Sequence, residues 1–286
     1  MAVKLFKTRV NRSLGGDLFI WAVLLLFAAV MVLPLVYAVS NAIKPMDEFF
    51  VFPPRFFARN PTLQNFSDLF GFFDNSDVPL SRYLFNTFFV SACGTIGQVI
   101  LASACAYALS KLHFPCRDLL FRIVVASLMF NSTVTSIANF LTLRTLGIID
   151  TYWAVIVPSF ASPLGLYLMK QFMEQLPTSL MESARLDGAS EYQVFWKIVM
   201  PNVKPAWLTL AIFQFQQMWG NTGSLFLRDE ELKTLQYALQ QITAGGTARA
   251  GAAAAVTFII AAVPIIFFLI CQSNVLETMT TSGMKD

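Results

Sequence analysis

The chain has 286 residues, of which 56% are hydrophobic and 13% are charged, and its net charge is +3. A soluble domain carries about 25% charged residues. The composition therefore excludes an ordinary soluble protein and predicts one membrane domain over residues 1–286, in contact with lipid and without a nucleic-acid partner. The four cysteines lie in or beside apolar runs without metal-ligand spacing, which favours packed thiols over a metal site.

Six windows free of Asp, Glu, Lys, Arg and His predict the membrane spans. A spanning helix needs roughly 17–25 mostly apolar residues, and every window is long enough. Because lipid offers the backbone no hydrogen bonds, we expect each window to form one helix. The predicted fold class is therefore an all-α polytopic membrane protein with six transmembrane helices. The windows cover residues 18–43, 83–110, 123–143, 151–169, 205–227 and 250–276.

The distribution of basic residues predicts the orientation of these spans. Lysine and arginine are enriched in the cytoplasmic loops of membrane proteins. With the N-terminus inside, 12 of the 20 lysines and arginines fall in inner segments, and four of them precede the first window. We therefore expect both termini in the cytoplasm. The first apolar run is too long for a secretory signal peptide, whose core is about 7–15 residues.

The first predicted outer loop, residues 44–82, is rich in phenylalanine and proline. Such a mixture favours the membrane interface over water, and one interpretation is that its aromatic side chains anchor the loop at headgroup depth. The second window then carries small residues at helical spacing, Cys93 with Gly97 and Ala102 with Ala106. Small residues let helices approach closely. This pattern fits a seam between two subunits as well as packing inside one subunit.

Two polar stripes lie in windows that are otherwise apolar, and both have helical spacing. Polar groups in hydrocarbon usually face a bundle interior or a water-filled cavity. Amide and hydroxyl groups can match sugar hydroxyls as donors and acceptors, so the stripes predict a lined path for a sugar. The alternative is hydrogen bonding between helices, worth roughly 0.6 kcal/mol per contact. The candidate path residues are Asn131, Thr135 and Asn139, then Gln214, Gln217, Trp219 and Asn221.

A polar segment, residues 170–204, separates the fourth and fifth windows and predicts two short helices with a break between them. Pro177 suits the start of the first helix, because its missing N–H falls where a donor would be unpaired. Residues spaced by four positions share one helix face. We therefore expect the apolar face of this helix to comprise Leu176, Leu180 and Ala184.

The break and the second helix are predicted by turn chemistry. Gly188 suits the end of the first helix, since glycine adopts the left-handed C-cap conformation without penalty. Ser190 and Gln193 have the spacing of a capping box, in which side chains satisfy unpaired backbone donors at a helix start. Pro201 should end the second helix, because it lacks a donor and clashes with the preceding turn.

The order of residues in this segment resembles the cytoplasmic coupling motif of ABC-importer membrane subunits. That motif reads Glu-Ala-Ala, three residues, Gly, nine residues and Ile-x-Leu-Pro; here Ser183 replaces the middle alanine and Met200 replaces the leucine. The Asp before the glycine and Pro205 resemble the carbohydrate-uptake, maltose-permease-like branch. The resemblance assigns ATPase coupling to Glu182, Ser183, Ala184, Asp187, Gly188, Ala189 and Pro201.

The resemblance implies a type I ABC importer permease fold in the cell membrane of a bacterium or archaeon. It implies a second related permease subunit, two ATPase subunits that bind ATP and Mg, an extracytoplasmic solute-binding protein, and no cofactor in this chain. In that family the outer surface faces the binding protein, which is the alternative interpretation of the aromatic loop in residues 44–82. The implied function is half of a translocation path for a sugar or oligosaccharide, coupled to ATP hydrolysis by partner subunits.

Several motifs are missing from the sequence. It has no G-x-x-x-x-G-K-[ST] run, so we expect a transport subunit that is not itself an enzyme. No window holds Asp, Glu, Lys, Arg or His, which argues against proton-coupled transport, since that usually needs such groups at depth. Two alternatives stay open. One is an ABC importer permease for another polar solute, such as a polyamine or phosphonate; the other is a secondary transporter, which would need no ATPase.

Overall fold

The computed structural model describes residues 14–74, 77–130 and 132–282. These residues form helices and turns, with no β-strand among them, so the predicted all-α class is confirmed. Both chain ends, which were assigned to the cytoplasm, and Asn131 of the first polar stripe lie outside the described residues.

Helices of very different length follow one another along the chain. A π-helical turn, Phe195–Val199, joins the tenth and eleventh, and 3₁₀ turns at Glu230–Leu232 and Thr247–Arg249 precede the last two. The α-helices are α1 (Leu14–Ala42), α2 (Met46–Phe49), α3 (Gln64–Asp74), α4 (Leu80–Lys111), α5 (Arg117–Ser127), α6 (Ser132–Thr145), α7 (Trp153–Ser159), α8 (Pro163–Glu174), α9 (Thr178–Leu186), α10 (Glu191–Val194), α11 (Met200–Asn202), α12 (Lys204–Trp219), α13 (Leu235–Ala244) and α14 (Ala250–Ser282).

Three helical stretches in the described part of the chain are long and apolar enough to cross a membrane. They are Gly15–Ala42, Leu80–Lys111 and Thr247–Gln272, and they coincide with the first, second and sixth predicted windows. In the fifth window, α12 has 16 residues and ends at Trp219. The count of six spans and their orientation stay predictions.

The prediction of one helix per window is wrong for the third and fourth windows. In the third, the N–H groups of residues 128–130 donate to carbonyls three residues back, and this tighter turn separates α5 from α6. In the fourth, a break at residues 160–162 separates α7 from α8. Pro163 opens α8, and a residue that precedes proline is disfavoured in helical conformation. Ser162 is accordingly extended, with ψ 105°.

Glycines let the broken fourth window pack closely against α4. A Cβ on Gly97 would lie 2.2 Å from the Phe160 ring, and a Cβ on Gly165 would lie 2.2 Å from Nε2 of Gln98. Ala102 and Ala106 are buried in the core of this same chain. The small residues of the second window therefore serve packing inside one subunit, which was one of the two interpretations.

Helix α4 also carries polar side chains into this packed region. Ser91, Gln98 and Ser103 are fully buried. Within the described residues, neither amide atom of Gln98 has a hydrogen-bond partner. An unpaired buried polar group costs about 1–3 kcal/mol, so Gln98 is a position where an apolar side chain should be tolerated.

Two compact units make up the chain: residues 1–69 with 248–258, and residues 70–247 with 259–286. In the first unit, the Asn65 amide donates to the carbonyls of Ala42 at 2.9 Å and Lys44 at 2.8 Å, which ties the start of α3 to the end of α1. In the second unit, apolar side chains of α4, α8 and α12 share one core with those of the polar segment. That core positions the candidate site.

Candidate functional site

Helix α9 begins the polar segment and buries one short apolar face. Pro177 caps its N-terminus in an extended conformation, with φ −60° and ψ 133°, so the predicted start is confirmed. Met181 is buried, and Leu176 and Ala184 pack against the core. Leu180 is exposed. The prediction that Leu180 belongs to the apolar face is therefore wrong, because the helix turns Met181, one position further, towards the core.

The break after α9 is a Schellman C-cap built on Gly188. Gly188 has φ +84°, and its N–H donates to the Arg185 carbonyl at 3.0 Å. The Ala189 N–H donates to the Ala184 carbonyl, also at 3.0 Å. This motif usually includes an apolar contact between the residues at the positions of Ala184 and Ala189, and both pack against the core. The predicted left-handed glycine is confirmed.

Ser190 then starts α10 with the predicted capping box. Its hydroxyl accepts a hydrogen bond from the Gln193 N–H at 3.4 Å, and the Gln193 side chain accepts one from the Ser190 N–H at 2.9 Å. The helix widens into the π-helical turn and ends at Asn202, one residue beyond Pro201. The next helix, α12, follows after Val203 alone, so the segment is joined directly to the fifth window.

A clamp of three side chains, Tyr107, Arg185 and Glu191, ties both halves of the segment to α4. The Glu191 carboxylate accepts hydrogen bonds from Arg185 at 2.7 and 3.2 Å and from the Tyr107 hydroxyl at 2.6 Å. The Arg185 guanidinium, followed by the Tyr107 hydroxyl, lowers the pKa of Glu191, and the Glu191 carboxylate raises the pKa of Arg185. Both groups are therefore charged at neutral pH.

Besides the clamp, apolar packing joins the segment to three neighbouring helices. Met181 of α9 and Val194 of α10 share a buried cluster with Ala106 of α4, Met169 of α8 and Leu210 of α12. These side chains are closely packed, and packed interiors transmit displacement rather than absorb it. A push on α9 would therefore reach α4, α8 and α12 together.

The opposite face of the segment is exposed and mixes acidic with apolar side chains. Leu186 is 89% exposed, and Tyr192 is exposed on α10. An isolated exposed leucine is common, but here it lies at the end of α9 beside Asp187 and one helical turn after Glu182, both exposed. The coupling residues predicted from the sequence divide accordingly: Ala184 and Ala189 point inward, and the exposed members are Glu182, Ser183, Asp187, Gly188 and Pro201.

The candidate path residues do not share one environment. Gln214 is buried and donates to the Ser159 carbonyl at 3.3 Å, and Trp219 is buried and donates to the Ile260 carbonyl at 3.0 Å. The Asn221 side chain accepts from the Gly223 N–H at 2.8 Å. Gln217 is exposed on α12.

The first polar stripe lies on α6, away from these hydrogen bonds. Thr135 and Asn139 are exposed on that helix, and Asn131 lies outside the described residues. Gln214 and Asn221 bond to Ser159 and Gly223 rather than to α6. Their role as a path therefore stays a prediction.

Sequence patterns missed the clamp and the centre of the apolar face. Tyr107 and Glu191 are 84 positions apart, and no periodic pattern joins them. Arg185 and Glu191 flank the glycine break, where helical spacing no longer applies. Met181 could have been found by testing each possible face of α9, because it is the only large apolar residue in the middle of that helix besides Leu180.

Comparison with known proteins gives concordant matches over most of the chain. The sequence model of a family described as binding-protein-dependent transport system inner membrane component matches residues 98–278. Protein LplC of Bacillus subtilis is 33% identical over 75% of this chain and 71% of LplC. The polygalacturonan/rhamnogalacturonan transport system permease protein YtcP of Bacillus subtilis is 31% identical over 79% of this chain and 77% of YtcP.

A solved structure extends the match to the fold. The crystal structure of a bacterial ABC transporter involved in the import of the acidic polysaccharide alginate contains a chain with a TM-score of 0.76 and 24% identity. The match covers 94% of this chain and 98% of that one. The two chains share one fold.

Proposed function

The chain belongs to the family of binding-protein-dependent transport system inner membrane components, and from this premise we propose that it forms half of the translocation path of an ATP-driven importer for a sugar or oligosaccharide. The names of YtcP and of the alginate transporter support a carbohydrate substrate. The name of YtcP, which is 31% identical, also supports the role of a permease subunit.

The proposed complex contains four further protein subunits. A second, related permease would complete the path, two ATPase subunits would bind ATP and Mg, and an extracytoplasmic binding protein would deliver the solute. This chain would span the membrane several times and would hydrolyse nothing itself. The family description, which names a binding protein and the inner membrane, supports the binding protein and the location.

The proposed coupling site is the exposed face of the polar segment between α8 and α12. The main observation in support of this site is that one face of the segment is exposed, while the opposite face packs into one cluster with α4, α8 and α12. ATP binding would draw the two ATPase subunits together, and the segment that docks on them would follow. Because the clamp and the cluster hold the segment to three helices, those helices would move as one body.

The chemistry of the path rests on amide and aromatic side chains. Gln217 is exposed in the isolated chain, so its amide can donate to and accept from a sugar hydroxyl. Gln214 and Trp219 are engaged in hydrogen bonds to the backbone of this chain. We therefore assign direct contact with the solute to Gln217, Thr135 and Asn139, and assign Gln214 and Trp219 to shaping the wall.

The proposed function is tested by purifying the chain from its native host with an affinity tag and reconstituting what accompanies it. We expect a second permease and an ATPase to co-purify, and hydrolysis to rise when the binding protein is added with fragments of polygalacturonan or alginate. Stimulation by a polyamine or phosphonate instead would contradict the carbohydrate assignment. Uptake without any ATPase would contradict the importer class.

A further inference from the structure

The loop of residues 50–60, which follows α2, is fastened to the end of α1 through its own backbone. The Ser40 hydroxyl donates to the Phe56 carbonyl at 2.8 Å and accepts from the Ala58 N–H at 3.0 Å. The Lys44 ammonium donates to the Arg55 carbonyl at 2.8 Å. The loop backbone is thus satisfied by side chains at the helix end, and its shape is set in advance.

The distribution of polar and apolar side chains in and beside this loop is the reverse of that in a loop surrounded by water. Lys44 and Glu48 are 3% and 5% exposed, whereas Phe52 and Phe57 are 92% and 66% exposed. The Glu48 carboxylate accepts from the backbone N–H groups of Arg59 at 3.0 Å and residue 60 at 3.1 Å. Charged groups serve the interior of the loop, and phenyl rings cover its outside, so the outer surface suits an apolar environment.

The position of the loop along α1 matches a membrane boundary. Phe56 packs on Tyr37, with ring centroids 5.3 Å apart. Tyr37 lies 20 positions after Asp17, the charged residue in the first turn of α1, which is about 30 Å at a rise of 1.5 Å per residue. The hydrocarbon core of a bilayer is about 30 Å thick. The apolar stretch between them is not buried in this chain, so with Asp17 at one boundary the loop lies at the other.

Cations on the loop complete the match to phospholipid. Arg59 is exposed and Arg55 is half-buried, and basic side chains near a membrane surface are attracted to lipid phosphates. We propose that residues 50–60 bind phospholipid at the bilayer boundary opposite Asp17, with Phe52 and Phe57 inserted among the upper acyl carbons and the arginines facing phosphates. The aromatic loop is then a membrane anchor rather than a docking surface for the binding protein.

The test measures how close the loop lies to lipid in the assembled complex. The four native cysteines are replaced by serine, and bimane is attached through Phe52→Cys or Phe57→Cys. The complex is placed in nanodiscs whose phospholipids carry a nitroxide on an upper acyl carbon. We expect both positions to lose most of their fluorescence relative to nanodiscs without nitroxide. Leu186→Cys is the matched control, because that leucine is apolar and 89% exposed on α9, and it should keep its fluorescence.

Two results would overturn the proposal that the loop binds phospholipid. Full fluorescence at both loop positions in nitroxide nanodiscs overturns the proposal. Quenching by aqueous iodide that disappears only when the binding protein is added also overturns it and assigns the loop to that protein. The uptake of solute by the complex is measured separately, so failure of the anchor and failure of the proposed transport function are distinguishable.

Discussion

Removal of the Tyr107 hydroxyl should loosen the coupling segment from α4. Tyr107 is buried and its hydroxyl lies 2.6 Å from Glu191, and a hydrogen bond to a charged group contributes about 1.5–3 kcal/mol. The Arg185 and Glu191 side chains are 37% and 51% exposed, so their ion pair contributes only about 0.2–1 kcal/mol. Tyr107→Phe should therefore make local opening of α9 and α10 about tenfold to a hundredfold more frequent, since about 1.4 kcal/mol is a factor of ten.

Hydrogen exchange of the α9 and α10 amides in the purified complex measures this opening. Tyr192→Phe is the matched control, because it removes a hydroxyl from an exposed tyrosine of α10 and should leave exchange unchanged. A double-mutant cycle of Tyr107→Phe with Glu191→Gln should give non-additive effects, since the two side chains share one bond. Additive effects, or equal exchange in the two tyrosine variants, would refute the clamp.

The clamp also predicts a pH dependence with a definite sign. The Arg185 guanidinium and the Tyr107 hydroxyl hold the pKa of Glu191 below its ordinary value of 4.5. A depressed carboxyl pKa stabilises the folded state above the ordinary value, and this stabilisation is lost as pH falls through the depressed value. From neutral pH down to 4.5, the frequency of local opening of α9 and α10 should stay constant, so their amides should exchange in proportion to the intrinsic rates. Below pH 4.5 the opening should become more frequent, and exchange should be faster than the intrinsic rates alone give. Glu191→Gln should remove the acceleration.

Three further predictions concern the break, the packing against α4 and the path. Gly188→Ala should cost about 1–2 kcal/mol in thermal unfolding of the complex, because φ is +84° and the left-handed backbone penalises a Cβ; Gly188→Asn should cost less, and equal losses would contradict this cause. Gly165→Ala should lower the yield of assembled complex, since its Cβ would lie 2.2 Å from Gln98. Adding Gln98→Ala should restore part of the yield, because Leu210 would still lie 2.9 Å away; no rescue would mean that Gln98 is not the obstacle. Gln217→Leu should impair uptake without loss of ATPase assembly, and Gln216→Leu, at a neighbouring exposed position of the same helix, should leave uptake unchanged. Equal uptake in the two glutamine variants would mean that Gln217 serves packing and does not line the path.

Local turn chemistry explains why the coupling segment could be predicted from the sequence. A left-handed glycine and a capping box each act within a few residues, so Gly188 and Ser190 determine the break after α9 almost independently of the rest of the fold. Pro201 does not end its helix: it lies inside α11, and the interruption falls at Val203. The same holds for α1 and α4, whose composition alone gives their length. These elements match their predicted positions closely.

The failures have equally physical causes. Charge-free windows report hydrophobicity but not backbone continuity, so the breaks at residues 128–130 and 160–162 were missed. Pro163 was a visible signal for the second break. The first break has no proline, but Asn131, Ser132 and Thr133 follow it, and residues of these types are a signal for the start of a helix. The clamp depends on Tyr107, which only the tertiary fold brings to Glu191. The face of α9 was misassigned because spacing by four residues defines a stripe but does not say which stripe is buried.

Coupling by the exposed face of α9 is the central claim, and charge reversal on that face tests it most directly. Glu182 is exposed, so Glu182→Lys alters the docking face without altering the core, and Asp118→Lys, at another exposed acidic side chain, is the matched control. The measurement is binding-protein-stimulated ATP hydrolysis by the reconstituted complex, with subunit association and membrane insertion quantified in parallel. We predict that Glu182→Lys and Gly188→Asp abolish stimulated hydrolysis and uptake with normal insertion, while Asp118→Lys retains both. Normal stimulation and uptake in Glu182→Lys and Gly188→Asp would contradict the coupling role.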